Sequence, residues 1–126
     1  MSKLQRSKKI FLIDDDEDLR FTIGLSLRDA GFDVDEFESA DAALPAALRE
    51  PPGAIFLDYR IDGMSAPAFV DALRERALDA VPVVLLTGSQ NIGDLAREMR
   101  VFDALPKPFE LDELVARARS ANAANR

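Results

Sequence analysis

The sequence predicts an α/β protein in which a parallel β-sheet carries helices on both faces. Two observations point there. Three short apolar runs, residues 10–13, 53–57 and 81–86, end abruptly in Asp14, Asp58 and Thr87. Such runs suit strands buried on both faces. Segments with a helical apolar stripe lie between them, so strand and helix alternate, as they do in parallel sheets.

The elements follow in order. Residues 10–13 form the first strand. Residues 19–27 are ambiguous, because Leu19, Phe21, Ile23, Leu25 and Leu27 alternate like a strand, yet Leu19, Ile23, Leu27 and Ala30 also share a helical face. The acidic pair Glu17 and Asp18 ahead of them suits a helix N-terminus, and the segment is read as helix. Residues 33–37 fit an edge strand. Residues 39–50 read as a helix that Pro45 should kink or delay. The third strand is 53–57. A helix over 66–78 has Ser65 as N-cap, Pro67 in its first turn and Phe69, Val70, Leu73 and Ala77 on one face. The fourth strand is 81–86, and a fourth helix follows from the alternation. Residues 101–105 are a weaker fifth strand ending near Lys107. The last helix, from 110 to about 120, carries Leu111, Leu114, Val115 and Ala118 on one stripe. The expected organisation is a basic extension over 1–8, one domain over 9–120 and a frayed polar tail over 121–126.

Composition narrows the chemistry. The chain has 126 residues, suited to a single domain, and 48% apolar content, enough for a core. Sixteen basic against 23 acidic residues leave a net charge of −7, which argues against a nucleic-acid partner. Cysteine and histidine are both absent, so thiol nucleophiles, disulfides and histidine-based triads or zinc sites are excluded. The apolar run at 10–13 is too short for a signal peptide or a membrane span. A soluble, cytoplasmic protein with no membrane association is expected.

Chemistry must therefore run on carboxylates, hydroxyls, lysine and arginine. In parallel α/β sheets, ligands bind beyond the carboxyl ends of the strands. Asp14, Asp15, Asp58, Thr87 and Lys107 all fall near those ends. Taken singly, each has a bland reading: an acidic triplet is usually a solvated turn, a strand-terminal Asp a cap, and a lysine a solvated surface group. Together they suit a phosphoryl site. Asp58 would be the nucleophile, with Lys107, the Thr87 hydroxyl and Mg²⁺ held by the carboxylate cluster serving the phosphoryl oxygens.

Four stretches, FLIDDDEDLR, AIFLDYRIDGM, VPVVLLTGS and LPKPFELDEL, resemble in order and spacing the signature segments of bacterial response-regulator receiver domains, from Lys9 to about Arg119. The resemblance implies a flavodoxin-like, doubly wound (βα)5 fold with strand order 2-1-3-4-5. It implies that Asp58 is the phosphoacceptor, and that Asp15 ligates Mg²⁺ directly while Asp14 acts through water. Asp58 itself and the Arg60 backbone carbonyl would be further metal ligands. Thr87 would be the switch hydroxyl and Lys107 the phosphate-binding lysine. Lys107–Pro108 would be a cis peptide aiming the lysine inward, and Asp62-Gly63 a turn at positive φ. The implied partners are a sensor histidine kinase or histidine phosphotransfer protein and a downstream protein or output domain. A homodimer through the fourth helix, fifth strand and fifth helix is a further possibility. The implied role is signalling rather than enzymatic turnover.

The sequence departs from the family at Ala104, three residues before the lysine, where Tyr or Phe is common. The usual paired movement of threonine and aromatic is then unavailable. Phe102 either substitutes for it or joins the core, the latter being favoured. An interaction module with a changed or lost switch stays open as an alternative. A Mg²⁺-dependent phosphohydrolase is disfavoured, because no second catalytic carboxylate follows Asp58 and the chain is too short for a cap domain.

Overall fold

A computed structural model describes residues 8–88 and 90–124. The basic extension lies mostly outside these residues, as do the last two positions of the tail. Five strands alternate with five helices: β1 (Lys9–Ile13), α1 (Glu17–Asp29), β2 (Asp33–Phe37), α2 (Ala40–Arg49), β3 (Ala54–Asp58), α3 (Ala66–Glu75), β4 (Val83–Thr87), α4 (Ile92–Met99), β5 (Asp103–Pro106) and α5 (Leu111–Ala124). All strand pairs are parallel and the order is β2-β1-β3-β4-β5.

The apolar runs explain the layering. Successive side chains in a strand point to opposite faces. Ile10, Leu12, Phe56, Val84 and Leu86 pack on one face with Ile23 and Leu27 of α1 and Leu114, Ala118 and Ala121 of α5. Phe11, Ile13, Ile55, Leu57 and Leu85 pack on the other with residues of α2, α3 and Met99 of α4. Strands covered on both sides need apolar residues at every position, and each fully buried Phe, Leu or Ile contributes about 1.5–3 kcal/mol. Among the described residues, no helix is long and apolar enough to cross a membrane.

Helix boundaries follow local chemistry. Asp16, Ser39 and Ser65 cap α1, α2 and α3, each accepting from the backbone N–H three residues on. The ambiguous segment after β1 is a helix because its 3.6-residue stripe meets the core, leaving Phe21 and Leu25 exposed. α2 starts at Ala40 and runs through Pro45 to Arg49, so the proline does not delay its start. Pro45 lies on the exposed face and removes one donor from the helix. α3 ends at Glu75 rather than 78, where Ala77 adopts φ 62° and the Leu78 N–H donates to the Leu73 carbonyl, a left-handed stop.

Two expectations at the C-terminal side need correction. β5 begins at Asp103, not 101, so Phe102 precedes the strand and is 44% exposed rather than core. α5 runs on to Ala124, and Ala121 is buried against the sheet, so residues 121–124 are helix rather than frayed tail.

Candidate functional site

The strand order changes direction at β1, whose two neighbours are β2 and β3, and this opens a crevice at the carboxyl ends of β1 and β3. Asp14 follows β1 directly, and its N–H continues the parallel ladder by donating to the Phe37 carbonyl at 3.1 Å. Asp58 is the last residue of β3, and Thr87 the last of β4. Lys107 follows β5 and its N–H donates to the Thr87 carbonyl at 2.8 Å. Each side chain is thus fixed by a backbone that the sheet already holds.

One oxygen from each of Asp14, Asp15 and Asp58 falls within 4.8 Å of the others. Asp14 is fully buried, Asp58 is 5% exposed, and Asp15 faces solvent. The Lys107 ammonium donates to Asp58 Oδ1 at 2.9 Å, and lies 3.9 Å from Asp14 Oδ2, an ion-pair distance beyond hydrogen-bond reach. Asp14 Oδ1 accepts from the Asp16 N–H at 2.9 Å, whereas buried Oδ2 has no hydrogen-bond partner. Burial raises the Asp14 pKa above 3.8; the Asp16 N–H lowers it, Asp58 raises it again, and Lys107 opposes.

This donor set fits a hard divalent cation. It offers oxygen ligands only, an uncompensated buried carboxylate oxygen, and an exposed carboxylate on the solvent side. Mg²⁺ is held in this way, by one or two carboxylates with its remaining positions open. Lys107, hydrogen-bonded to one carboxylate and at ion-pair distance from a second, does not neutralise three acids alone.

The structure brings Asp14, Asp15, Asp58 and Lys107 together and sets Thr87 one residue past the Leu86–Asp58 pairing on the adjacent strand. Arg60 is exposed in the loop after β3. Lys107–Pro108 is cis and Gly63 has φ 80°, as expected. The acidic triplet, however, splits by role: Asp16 is a helix cap, its Oδ1 accepting from the Leu19 N–H at 3.1 Å. Ala104 is half-buried beside a groove of about 350 Å³ lined by Ile92, Gly93, Ala96, Arg97 and Phe102. A separate cavity of about 220 Å³, lined by Leu73, Val81 and Val83 among others, sits at the opposite end of the strands and takes no part in the carboxylate cluster.

Sequence reasoning missed two supporting side chains. Arg20 donates to the Asp14 carbonyl at 2.6 Å. Asp41 of α2 accepts from the Met64 N–H at 2.8 Å, fastening the loop that follows Asp58. The only signal for Arg20 was its spacing, six residues after Asp14 and one helical turn into α1. Nothing in the sequence links Asp41 to Met64.

Comparison with known proteins accords with this geometry. Residues 10–119 match the model of the response regulator receiver domain. The chain is 32% identical over 108 residues to the DNA-binding transcriptional regulator NtrC of Klebsiella pneumoniae, covering 84% of this chain and 23% of that protein. It is 36% identical over 121 residues to the C4-dicarboxylate transport transcriptional regulatory protein DctD of Rhizobium meliloti, covering 94% of this chain and 26% of that one. This chain therefore spans about a quarter of the length of these relatives. The crystal structure of the receiver domain of NtrX from Brucella abortus superposes with a TM-score of 0.82 at 30% identity, covering 90% of this chain and 98% of that one. With the family model spanning nearly the whole described chain and the strand order and acidic crevice in register, this protein belongs to the response regulator receiver domain family of two-component systems.

Proposed function

We propose that this domain accepts a phosphoryl group on Asp58 from a phosphohistidine on a partner, a sensor histidine kinase or a histidine phosphotransfer protein. The observation that carries the reading is the Lys107 ammonium at 2.9 Å from Asp58 Oδ1, within a cluster of three carboxylates. A lysine so placed pairs with the nucleophile and is poised to receive a phosphoryl oxygen.

An oxygen of Asp58 attacks phosphorus in line with the leaving imidazole nitrogen. The P–N bond breaks and its electron pair returns to the ring, while an O–P bond makes an acyl phosphate. Lys107 shifts from the carboxylate to one phosphoryl oxygen, and the Thr87 hydroxyl donates to another. Asp15 and Asp58 directly, Asp14 through water, and the Arg60 carbonyl would hold Mg²⁺, which when bound supplies the charge neutralisation that phosphoryl transfer requires. The added group brings about −1.5 to −2 charges. Movement of Thr87 and Lys107 toward it biases two conformations of the α4–β5–α5 face, which contacts a downstream protein, an output domain or a second copy. The bias equals the difference in affinity for the two states. Water later cleaves the acyl phosphate, and the exposed Arg60 side chain tunes that step.

A second reading, an interaction module with altered switching, is favoured by one observation: Ala104 puts no aromatic ring on the α4–β5 face, and Phe102 lies exposed before the strand. The deciding experiment is intact-mass spectrometry after incubation with acetyl phosphate and Mg²⁺, with Asp58→Asn alongside. One phosphoryl increment that requires Mg²⁺ and is lost in the variant supports acceptance on Asp58. Absence of both the increment and Mg²⁺ binding moves the assignment to the interaction module.

A further inference from the structure

We propose that Arg20 is a positioning residue for the metal-binding carboxylates, held in place by a partly exposed charge network centred on Glu36; this rests on the phosphoacceptor reading above. Arg20 projects from the first turn of α1, with its side chain only 15% exposed. Its Nη1 donates to the Asp14 carbonyl at 2.6 Å, and its Nε lies 3.4 Å from Glu36 Oε1. Arg28, two turns further on, pairs with Glu36 Oε2 at 2.9 Å and also donates to the Val34 carbonyl at 2.9 Å. Glu36 of β2 is thus bound from both sides by α1.

Gly24 makes this arrangement possible. A Cβ at Gly24 would stand 2.7 Å from Glu36 Oε2 and 3.1 Å from Arg28 Nη1, so the glycine is the slot in which the carboxylate lies. A glycine inside a helix otherwise costs stability relative to alanine. Here it lets an acid pack against a helix between two arginines.

The consequence falls on the peptide between Asp14 and Asp15. Its carbonyl side is Asp14, the first residue after β1, whose own N–H is fixed by the sheet. Its carbonyl is fixed by Arg20. Asp15 is exposed, and among the described residues its carboxylate accepts no hydrogen bond. The direction of its carboxylate therefore depends on that tethered peptide. Arg20 also places a positive charge behind three clustered acids without occupying the cation position. Groups that orient metal ligands in this way typically account for about tenfold or more in affinity.

The test is calorimetric titration of the metal-free domain with MgCl₂, read in parallel by the fluorescence of Tyr59, the single tyrosine in a chain without tryptophan. Arg20→Ala is expected to raise the Mg²⁺ dissociation constant about tenfold, and Arg20→Lys to recover part of the loss. Phosphorylation of Arg20→Ala by acetyl phosphate should need more Mg²⁺ for half-maximal rate yet approach the wild-type rate at saturation. In the metal-free protein the Asp16 amide, which donates to Asp14 Oδ1, should exchange faster. Gly24→Ala is the second variant: its added methyl displaces flexible side-chain ends only, so the domain folds, and it should weaken Mg²⁺ in the same direction. Wild-type affinity in both folded variants overturns the positioning role. If Arg20→Ala does not fold, Gly24→Ala decides alone. Failure of the wild-type domain to bind Mg²⁺ removes the phosphoacceptor reading as well.

Discussion

Replacing Asp14 by Asn should make the metal-free domain more stable, because the site keeps a charge buried where only a cation can use it. Asp14 is fully buried, and its Oδ2 accepts no hydrogen bond. At an effective dielectric of about 20, a like-charged carboxylate at the 4.8 Å limit of the cluster costs about 3 kcal/mol, and the lysine at 3.9 Å returns about 4 kcal/mol. Those two roughly cancel. What is left is the desolvated, unpartnered oxygen, about 1–3 kcal/mol, and a screened repulsion from exposed Asp15. Asn keeps Oδ1 as acceptor for the Asp16 N–H and turns an NH₂ toward the remaining carboxylates. A gain of about 1–2 kcal/mol is expected, seen by urea unfolding at pH 7 in EDTA as an increase of about 0.5–1 M in midpoint.

The pH dependence gives the same argument a sign. The folded pKa of Asp14 lies above 3.8, so the native state binds this proton more tightly than the unfolded chain. The destabilisation is absent below 3.8, grows as pH rises through the folded pKa, and is complete above it. The advantage of Asn should therefore be full only above the folded pKa and gone near pH 3.8. Mg²⁺ should reverse the ranking. At 100 times its dissociation constant a ligand stabilises the wild-type protein by about 2.7 kcal/mol, and the variant, lacking an anionic partner, should gain less. A variant less stable than wild type in EDTA at pH 7, or an advantage independent of pH, would refute this account of the site.

Three further outcomes follow from the same geometry. Lys107→Ala removes the donor at 2.9 Å from Asp58 and should slow phosphorylation by acetyl phosphate about 100-fold, measured as a mass-spectrometric time course; a loss under fivefold would show that the lysine is a bystander. Gly63→Ala combines φ 80° with a Cβ 3.0 Å from Asp41 Oδ1, and should cost about 1–2 kcal/mol in urea unfolding, whereas an unchanged midpoint would mean the loop rearranges freely. Ala104→Tyr adds a ring at the groove of about 350 Å³ between α4 and β5, so stability should change by less than about 1.5 kcal/mol; a loss above about 3 kcal/mol would mean the groove cannot open to a ring.

Much of this protein was legible in its residues, and the reason is physical. Strands buried on both faces must be apolar at every position, so 10–13, 53–57 and 81–86 stand out wherever they occur. Their abrupt polar ends mark where the chain leaves the core, and there Asp14, Asp58 and Thr87 were found. Ser65 and the stripe on α3 fixed that helix's start. The sequence was weaker wherever a neighbour decides. Pro45 signals a kink or a late start by its type, yet here α2 starts at Ala40 and continues through it with the ring on the exposed face. Phe102 reads as core by composition, yet β5 starts one residue later and leaves it exposed. Residues 121–124 carry too little apolar character to announce a helix, but Ala121 fits against the sheet. By residue type alone Asp15 and Asp16 are alike; the family resemblance singled out Asp15, and the start of α1 shows Asp16 to be a cap.

Local pattern, in short range, thus determined the alternation of strand and helix, the strand ends and the residue types able to bind a cation and a phosphoryl group. Tertiary structure alone decided which of those residues meet. Lys107 reaches Asp58 across 49 positions, Met64 reaches Asp41 across 23, and Glu36 enters the slot at Gly24 between two arginines. Contacts at such separations are set by strand order and helix packing, and periodicity within a single element carries no record of them.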